Sequence, residues 1–337
     1  MKKNNMVWSA KGIFIAGFLF LNTAVNAQKT ADLSTISEKT LHTILEKNRA
    51  YYKQGKVADY IPELGKVNAE SIAFSVVDKN GKVFNTGDVS KKFTMQSISK
   101  IIALMIAVNE RGEADIFDKM GYYGSDKPFN HFANLETMGK PLNPMMNAGA
   151  ILTTSLISGE GEKPFLKILD MVRYITKNPT IEYSKSVYES EKSTGHRNRG
   201  MFYLMKNNGL ISGNEDQLDN YFRQCSIELT AEDLAKIGYF FANQCVRFDG
   251  DTTYKNAEMA RLIESQMLTA GMYEFSGEYS RTVGLPSKSG VGGGIVVSVP
   301  GKIGIGVFSP SLDRHGNSLA GYHMILDLVK QYDLSIF

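Results

Sequence analysis

Ser97 and Lys100 stand three residues apart, at the start of an apolar run over residues 101–108. The run has no glycine or proline and predicts a buried helix, with both side chains on one face of its first turn. A serine becomes a good nucleophile when a base takes its proton, and a lysine is such a base once burial leaves its amine neutral. The helix N-terminus adds free N–H groups for an oxyanion. The spacing therefore predicts a serine-hydrolase pair, and the alternative is a surface serine and a solvated lysine.

The nucleophile helix and several others can be delimited from the sequence. Thr94 is a candidate N-cap of the nucleophile helix, and Gly112 marks its far end. From about residue 110 to residue 270 strand patterns are absent and apolar residues recur at helical spacing. The other predicted helices cover residues 34–53, 166–176, 200–207, 230–242, 257–268 and 321–332.

Strand patterns occur near the two ends of the chain, and Asn80-Gly81 is typical of a tight hairpin between the first two. The predicted strands cover residues 71–77, 82–86, 281–284, 289–299 and 302–308. The two groups can share one antiparallel sheet covered by the terminal helices. We therefore expect an α+β fold with a mixed part over about residues 28–110 and 271–337 and a large all-helical insertion over about residues 111–270. A site would lie in the cleft between these two parts.

Residues 1–27 have the composition of a secretory signal peptide. Three lysines precede the apolar run 12–21, and Val25-Asn26-Ala27 fits the small-residue rule for cleavage. We expect cleavage after Ala27 and an exported, periplasmic product over residues 28–337, and an uncleaved membrane anchor is the alternative. The formal net charge of +3 falls to zero without this segment, because it carries three lysines and no acidic residue. A neutral protein gives no reason to expect nucleic acid or a membrane as partner.

Cysteine and histidine usage limits the redox and metal chemistry of the chain. Cys225 and Cys245 could pair in an oxidising compartment, although buried free thiols are the expectation. The five histidines show no metal-ligand spacing. We therefore predict neither a metal nor another cofactor.

Six blocks of sequence carry a longer pattern than the Ser-x-x-Lys spacing. They are FTMQSISK at 93–100, NPMMNAGA at 143–150, QCS at 224–226, GMY at 271–273, KSGVGGGI at 288–295 and SPSLDRHGNSLAG at 309–321. In this order they closely resemble the serine-dependent glutaminase family, from about Tyr60 to the C-terminus. The resemblance implies the β-lactamase/DD-peptidase-like fold, which agrees with the predicted order of elements.

The resemblance implies hydrolysis of L-glutamine to L-glutamate and ammonia through an acyl-enzyme. It assigns the nucleophile to Ser97 and the base to Lys100, and we expect Tyr273 to relay protons. The positions that match substrate contacts in the family are Ser97, Asn147, Glu191, Asn198, Tyr221, Tyr273 and Val291, and Tyr60 is a further candidate. The family also implies a homodimer or homotetramer.

The chemistry of a free amino acid fits these residue types, because its charged groups must exchange water for protein hydrogen bonds. Glu191 can accept from the α-ammonium, whereas Asn147, Asn198 and Tyr221 can donate to the α-carboxylate. The backbone N–H groups of Ser97 and Val291 can form an oxyanion hole.

Without the resemblance, each of these residues has a simpler interpretation. Glu191 lies in the charged run 189–192, Asn147 follows a proline turn, and both tyrosines could be core aromatics. The glycines at 290–294 could suggest a nucleotide loop, but a predicted strand follows them instead of a helix.

Two further functions compete with a glutaminase. Lys288-Ser289-Gly290 is similar to the Lys-Thr-Gly strand of penicillin-interactive enzymes, so a penicillin-interactive serine hydrolase is the second hypothesis. A glutamine-binding or scaffold protein without activity is the third, and the intact Ser97 and Lys100 argue against it.

Overall fold

An antiparallel sheet of five strands lies at the centre of the computed structural model, which describes residues 32–337. The predicted signal peptide and its cleavage site lie outside the described residues. The other described strands form two short pairs, β1 with β9 and β4 with β5. The strands in chain order are β1 (Lys56–Val57), β2 (Ala73–Val77), β3 (Val83–Gly87), β4 (Phe93–Thr94), β5 (Glu228–Leu229), β6 (Ser287–Ser289), β7 (Gly294–Val299), β8 (Ile303–Phe308) and β9 (Ser311–Leu312).

Most of the described chain between the early and late strands is helical. The helices are α1 (Glu38–Asn48), α2 (Ser99–Arg111), α3 (Glu113–Asp118), α4 (Ala133–Thr137), α5 (Asn147–Leu156), α6 (Lys163–Thr176), α7 (Lys185–Thr194), α8 (His196–Asn207), α9 (Asp216–Cys225), α10 (Ala231–Ala242), α11 (Ala257–Ala270), α12 (Ser276–Thr282) and α13 (Leu319–Tyr332).

The strand order β3-β2-β8-β7-β6 places the early and late strands in one sheet, as predicted. Residues of α1 and α13 form an apolar cluster with one face of the sheet. Helix α10 lies directly on the other face, because a Cβ at Gly304 would be 2.0 Å from the Tyr239 nitrogen, and one at Gly306 would be 2.1 Å from the Ala231 oxygen. These glycines let the helix and the sheet meet backbone to backbone.

Helix α2 is the centre of the helical part. Its residues from Ser99 to Val108 are all buried, and α5, α6 and α11 pack around it. A helix covered on every side needs apolar residues all round, which explains the unbroken apolar run in the sequence. Gly112 ends the helix at φ 84°, as predicted.

The structure corrects several local predictions. The insertion predicted as all-helical contains the two-residue strand β5. Thr94 is not an N-cap, because it pairs with Glu228 in the ladder between β4 and β5. The strand predicted at residues 281–284 is the end of α12 and its C-cap, where Val283 is buried under the sheet. The strand predicted at residues 289–299 is two strands, β6 and β7, separated by a turn at residues 290–293 in which Gly293 has φ 101°.

Candidate active site

Ser97 lies in a single 3-10 turn, Gln96–Ile98, between β4 and α2. The turn begins at Gln96, whose φ of 48° lies in the left-handed region that non-glycine residues rarely adopt. The Ser99 hydroxyl holds the turn by donating to the Gln96 carbonyl over 2.8 Å. Ser97 therefore precedes the helix instead of lying in its first turn, and its side chain lines the cleft at only 7% exposure.

Lys100 is buried to 1% exposure in α2. Its amine donates to the Met145 carbonyl and to the Asn147 side-chain oxygen, each over 2.8 Å. Burial lowers the pKa of this amine from 10.5 to about 8, so an appreciable fraction of it is neutral near neutral pH. Lys100 therefore meets the electrostatic requirement for a base.

Tyr273 brings a hydroxyl to the nucleophile. The tyrosine oxygen donates to the Ser289 carbonyl over 3.1 Å and is hydrogen-bonded to the Ser97 side chain. Because a carbonyl can only accept, the tyrosine proton points to Ser289 and the Ser97 hydroxyl donates to the tyrosine oxygen. Burial raises the pKa of Tyr273, so the phenol is neutral. Its backbone φ of 59° is also left-handed.

Lys288 is a second buried lysine, directly behind Tyr273. Its amine lies 4.5 Å from the centre of the Tyr273 ring and donates to the Ser289 carbonyl over 2.6 Å and to the Gly271 carbonyl over 3.0 Å. Burial, and then the neighbouring Lys100, lower its pKa well below 10.5. The lysine fixes the carbonyl that receives the tyrosine proton.

The glycine-rich turn after β6 comes unusually close to the nucleophile turn. A Cβ at Gly290 would lie 2.4 Å from the Met95 oxygen, and one at Gly292 would lie 2.4 Å from the Thr94 oxygen. Real Cβ atoms do not approach oxygens this closely, so side chains at these two positions would separate the segments. Val291 lies between the two glycines and lines the cleft beside Ser97.

The cleft has about 580 Å³ of empty space and is lined by several polar side chains. The Asn147 amide nitrogen donates to the Asn198 side-chain oxygen over 3.0 Å, which leaves the Asn198 amide nitrogen available. Tyr221 is buried in the cleft, and this burial raises the pKa of its hydroxyl. All three residues line the same cleft as Ser97.

Glu191 is a buried carboxyl without a complete set of partners. It is 6% exposed, and its Oε2 has no hydrogen-bond partner among the described residues. Burial raises its pKa from 4.5 to about 8, although Lys100 opposes this rise. An unpaired buried carboxyl oxygen that lines a cleft is suited to a cationic ligand.

Tyr60 reaches the cleft from the loop after β1. The residue as a whole is 54% exposed, whereas its hydroxyl is enclosed next to Glu191, and this burial raises its pKa. The structure thus brings Ser97, Lys100, Asn147, Glu191, Asn198, Tyr221, Tyr273, Val291 and Tyr60 into one region, and their roles in catalysis and binding stay predictions.

Several residues of the cleft were not predicted. Gln96 is hydrogen-bonded to Glu191, and the Phe129 ring lies 4.8 Å from the Tyr273 ring. Arg197 lines the cleft and donates to the Asn130 carbonyl over 2.6 Å. Gln96 lies next to Ser97 and Arg197 next to Asn198, so proximity in sequence was an available signal. Nothing in the sequence marks Phe129.

Both cysteines are free and buried, and Cys225 lines the cleft beneath Tyr221. Burial raises the pKa of its thiol well above 9, which makes it a poor nucleophile. Within residues 32–337 no group of three or more acidic, histidine or cysteine side chains could hold a metal ion. In the same range no helix has the length and apolarity needed to cross a bilayer.

Sequence and structure comparisons agree on one family. The sequence model of the family described as Glutaminase matches residues 55–337. "Glutaminase 2" of Clostridium perfringens (strain 13 / Type A) is 47% identical over 301 residues, which cover 88% of this chain and 99% of that protein.

Solved structures give the same result. The probable glutaminase ybaS superposes with a TM-score of 0.83 at 35% identity, covering 90% of this chain and 99% of that one. The Bacillus subtilis glutaminase YbgJ, in covalent complex with 5-oxo-L-norleucine formed from 6-diazo-5-oxo-L-norleucine, superposes with a TM-score of 0.80 at 33% identity, covering 89% and 99% of the two chains.

Proposed function

The chain belongs to the glutaminase family, and from this premise we propose how its residues carry out the reaction. The protein is a glutaminase, an amidohydrolase that converts L-glutamine and water to L-glutamate and ammonia. Its fold is the β-lactamase-like fold that the sequence predicted. The observation that carries the proposed mechanism is the Ser97 hydroxyl hydrogen-bonded to Tyr273 in the cleft that also holds Glu191.

In the first step, the Ser97 oxygen attacks the side-chain carbonyl carbon of glutamine. Tyr273 accepts the Ser97 proton while its own hydroxyl hydrogen turns from the Ser289 carbonyl and passes to the neutral amine of Lys100, so the phenol stays neutral. The backbone N–H groups of Ser97 and Val291 hold the oxyanion of the tetrahedral intermediate. The short distances from Gly290 and Gly292 to the nucleophile turn support this role.

The intermediate then loses its nitrogen. The Lys100 ammonium returns a proton through Tyr273 to the leaving nitrogen, the C–N bond breaks, and ammonia departs. A γ-glutamyl ester of Ser97 remains. Water then attacks this ester, and the water proton passes through Tyr273 to Lys100. The proton is returned to the Ser97 oxygen as the ester bond breaks, and L-glutamate is released.

Polar residues of the cleft select glutamine by binding its α-ammonium and its α-carboxylate. The unpartnered oxygen of Glu191 accepts from the α-ammonium. The free amide nitrogen of Asn198 and the hydroxyls of Tyr221 and Tyr60 donate to the α-carboxylate. Asn147 acts mainly by holding Lys100 and Asn198 in place, since its side chain bonds to both.

Ammonia release by purified residues 28–337 tests this assignment of residues. We expect activity with L-glutamine that disappears in Ser97→Ala, with L-asparagine as the control for substrate length. Turnover of a chromogenic β-lactam without turnover of glutamine would favour the penicillin-interactive hydrolase. Equal ammonia release by the wild type and Ser97→Ala would remove Ser97 from the nucleophile role.

A covalent inhibitor offers an independent test of the nucleophile. The Bacillus subtilis relative reacts with 6-diazo-5-oxo-L-norleucine to form a covalent complex. We expect the same reagent to label Ser97 of this chain, which peptide mapping by mass spectrometry would locate. Labelling of another residue, such as Cys225, would contradict the mechanism.

The cellular setting is a further proposal, supported by the lysines and the apolar run within residues 1–27. We expect cleavage after Ala27 and a periplasmic enzyme, which N-terminal sequencing and cell fractionation would check. The family resemblance also leads us to expect a homodimer or homotetramer, which sedimentation of the purified enzyme would distinguish from a monomer.

A further inference from the structure

The turn from Asp313 to Asn317 lies against the residues that form the reactive side of the cleft. A methyl group built on Gly316 would lie 3.6 Å from the Tyr273 ring and 3.5 Å from the Val291 side chain. Gly316 has φ 91°, which glycine adopts without strain. The backbone of this turn therefore closes directly over the ring of Tyr273.

Hydrogen bonds to Asp313 hold the turn in one shape. Its carboxylate accepts from the backbone nitrogens of His315 over 2.8 Å and of Asn317 over 2.9 Å. Its own backbone nitrogen donates to the Asn317 carbonyl over 2.8 Å. With three bonds across five residues, the turn can act as a rigid unit.

His315 connects this rigid turn to the two residues that follow Tyr273. Its Nδ1 lies 3.1 Å from Oε1 of Glu274, and its ring stacks on Phe275 with centres 5.4 Å apart and planes 19° from parallel. The histidine and glutamate side chains are only 19% and 21% exposed. Both side chains of this contact are therefore largely shielded from water.

The neighbouring arginine fixes which histidine nitrogen carries the proton. Nε of Arg314 lies 3.0 Å from Nε2 of His315, and a guanidinium can only donate. The Nε2 atom must then accept, which places the hydrogen of the neutral ring on Nδ1, where it donates to Glu274. His315 in the turn therefore donates a hydrogen bond to Glu274, the residue next to Tyr273.

Tyr273 needs such support because its own backbone is in the left-handed region, at φ 59°. Non-glycine residues remain in that region only when the surrounding structure holds them there. The 3-10 turn Tyr273–Phe275 is short: its N-cap, Met272, makes no side-chain bond, and the Ser276 hydroxyl donates to the Tyr273 carbonyl over 2.7 Å. Its support from the C-terminal part of the chain includes the bond and the stack made by His315.

We propose that His315 is a positioning residue for Tyr273: through Glu274 and Phe275 it holds the strained turn so that the tyrosine hydroxyl meets Ser97. This inference rests on the proposed role of Tyr273 in proton transfer. It gives the SPSLDRHGNSLAG block a function in the reaction, although none of its side chains lines the cleft among the described residues.

The experiment compares His315→Leu, which loses the hydrogen bond, with His315→Asn, whose amide can replace the Nδ1 donor. We expect kcat of His315→Leu to fall about tenfold with KM within about twofold, because a displaced catalytic group slows the reaction without weakening binding. His315→Asn should recover kcat to within about threefold of the wild type. His323→Leu is the matched control, because His323 also stacks on an aromatic ring, that of Tyr51, away from the cleft.

Two further comparisons show whether the effect passes through Tyr273. Glu274→Met removes the hydrogen bond and keeps the ring stack, so it should lower kcat by no more than His315→Leu does, and the double variant should be no slower than His315→Leu. In a Tyr273→Phe background, His315→Leu should have no further effect on kcat. If His315→Leu does not fold, Glu274→Met makes the same comparison.

The outcomes separate the two proposals. Wild-type kcat in both His315→Leu and Glu274→Met, together with a slow Tyr273→Phe, would overturn the positioning role and leave the mechanism intact. Wild-type kcat in Tyr273→Phe would overturn the proton-transfer role on which this inference rests. An equal loss from His315→Leu with and without the Tyr273 hydroxyl would show that the histidine acts by another route.

Discussion

The amine of Lys100 lies 2.8 Å from the side-chain oxygen of Asn147, and the Met145 carbonyl accepts from the same amine at the same distance. A neutral amine has two hydrogens, and these two acceptors engage both of them. The remaining position around the nitrogen holds its lone pair, which can accept a proton. Asn147 thus helps to orient the base as well as to line the cleft.

The first prediction concerns the pH dependence of kcat/KM, which reports groups of the free enzyme. Because Lys100 must be neutral and its pKa is about 8, kcat/KM should rise with pH and level off above about pH 8. In Asn147→Asp, a carboxylate beside the amine favours its charged form and raises its pKa, so the rise should move about one unit or more to higher pH. Asn109→Asp, which adds the same charge at an exposed site of α2, is the control. An unmoved profile in Asn147→Asp would remove Lys100 from the role of base.

The second prediction concerns Glu191, whose burial lowers the stability of the folded protein and provides a group that binds the substrate. Its pKa in the folded protein is about 8, above the ordinary 4.5, so the folded state binds its proton more tightly. Its contribution to stability is therefore lost as pH rises from about 4.5 to about 8. Glu191→Gln should melt at a higher temperature than the wild type at pH 8 and at a similar temperature at pH 4.

The same variant should lose substrate affinity, because an amide is a weaker acceptor for an ammonium than a carboxylate. We expect KM for glutamine to rise by about tenfold to a hundredfold, and glutamine should no longer raise the melting temperature. Glu189→Gln, an exposed change on the same helix, is the control. Wild-type KM in Glu191→Gln would exclude it as the ammonium acceptor.

The third prediction tests the close approach of the glycine turn. A Cβ at Gly292 would lie 2.4 Å from the Thr94 oxygen, so Gly292→Ala must separate Val291 from the nucleophile turn. We expect kcat to fall about tenfold to a hundredfold with a smaller change in KM, as for loss of an oxyanion donor. Gly277→Ala has no atom within 4 Å of the new methyl and should keep both constants. Wild-type kcat in Gly292→Ala would show that Val291 supplies no oxyanion donor.

The fourth prediction separates the two buried tyrosines. Tyr273→Phe removes the hydroxyl bonded to Ser97 and should lower kcat by about a hundredfold or more, with little effect on KM. Tyr221→Phe should mainly raise KM, since Tyr221 lines the cleft and its proposed role is to donate to the α-carboxylate of the substrate. Steady-state measurements of kcat and KM for the two variants distinguish proton transfer from substrate binding. A rise in KM alone in both would mean that neither tyrosine transfers a proton.

The sequence predicted the long elements and the chemistry well, because both leave local patterns. The run after Lys100 predicted a helix buried on every side, and Asn80-Gly81 predicted the hairpin between β2 and β3. The site residues came from the resemblance to a family, and Glu191, Asn198 and Tyr221 lie outside the six matched blocks. All three line the same cleft as Ser97.

What the sequence could not predict depends on contacts between distant segments. Strand β5 has two residues and exists only because it pairs with β4, so no periodicity marks it. Val283 resembles a strand residue but is buried at the end of α12. The roles of Phe129 and His315 arise from packing on Tyr273 and its turn, which no local pattern can show.

The most direct test of the mechanism is to find the acyl-enzyme itself. Wild-type enzyme mixed with L-glutamine and quenched in acid during turnover should carry a γ-glutamyl ester, and peptide mass mapping should place it on Ser97. Tyr273→Phe and Lys100→Met, which slow both proton transfers, provide comparisons, and Ser97→Ala should carry no ester. Ammonia release by a wild type that never carries the ester, or the same ester on another residue, would contradict the account.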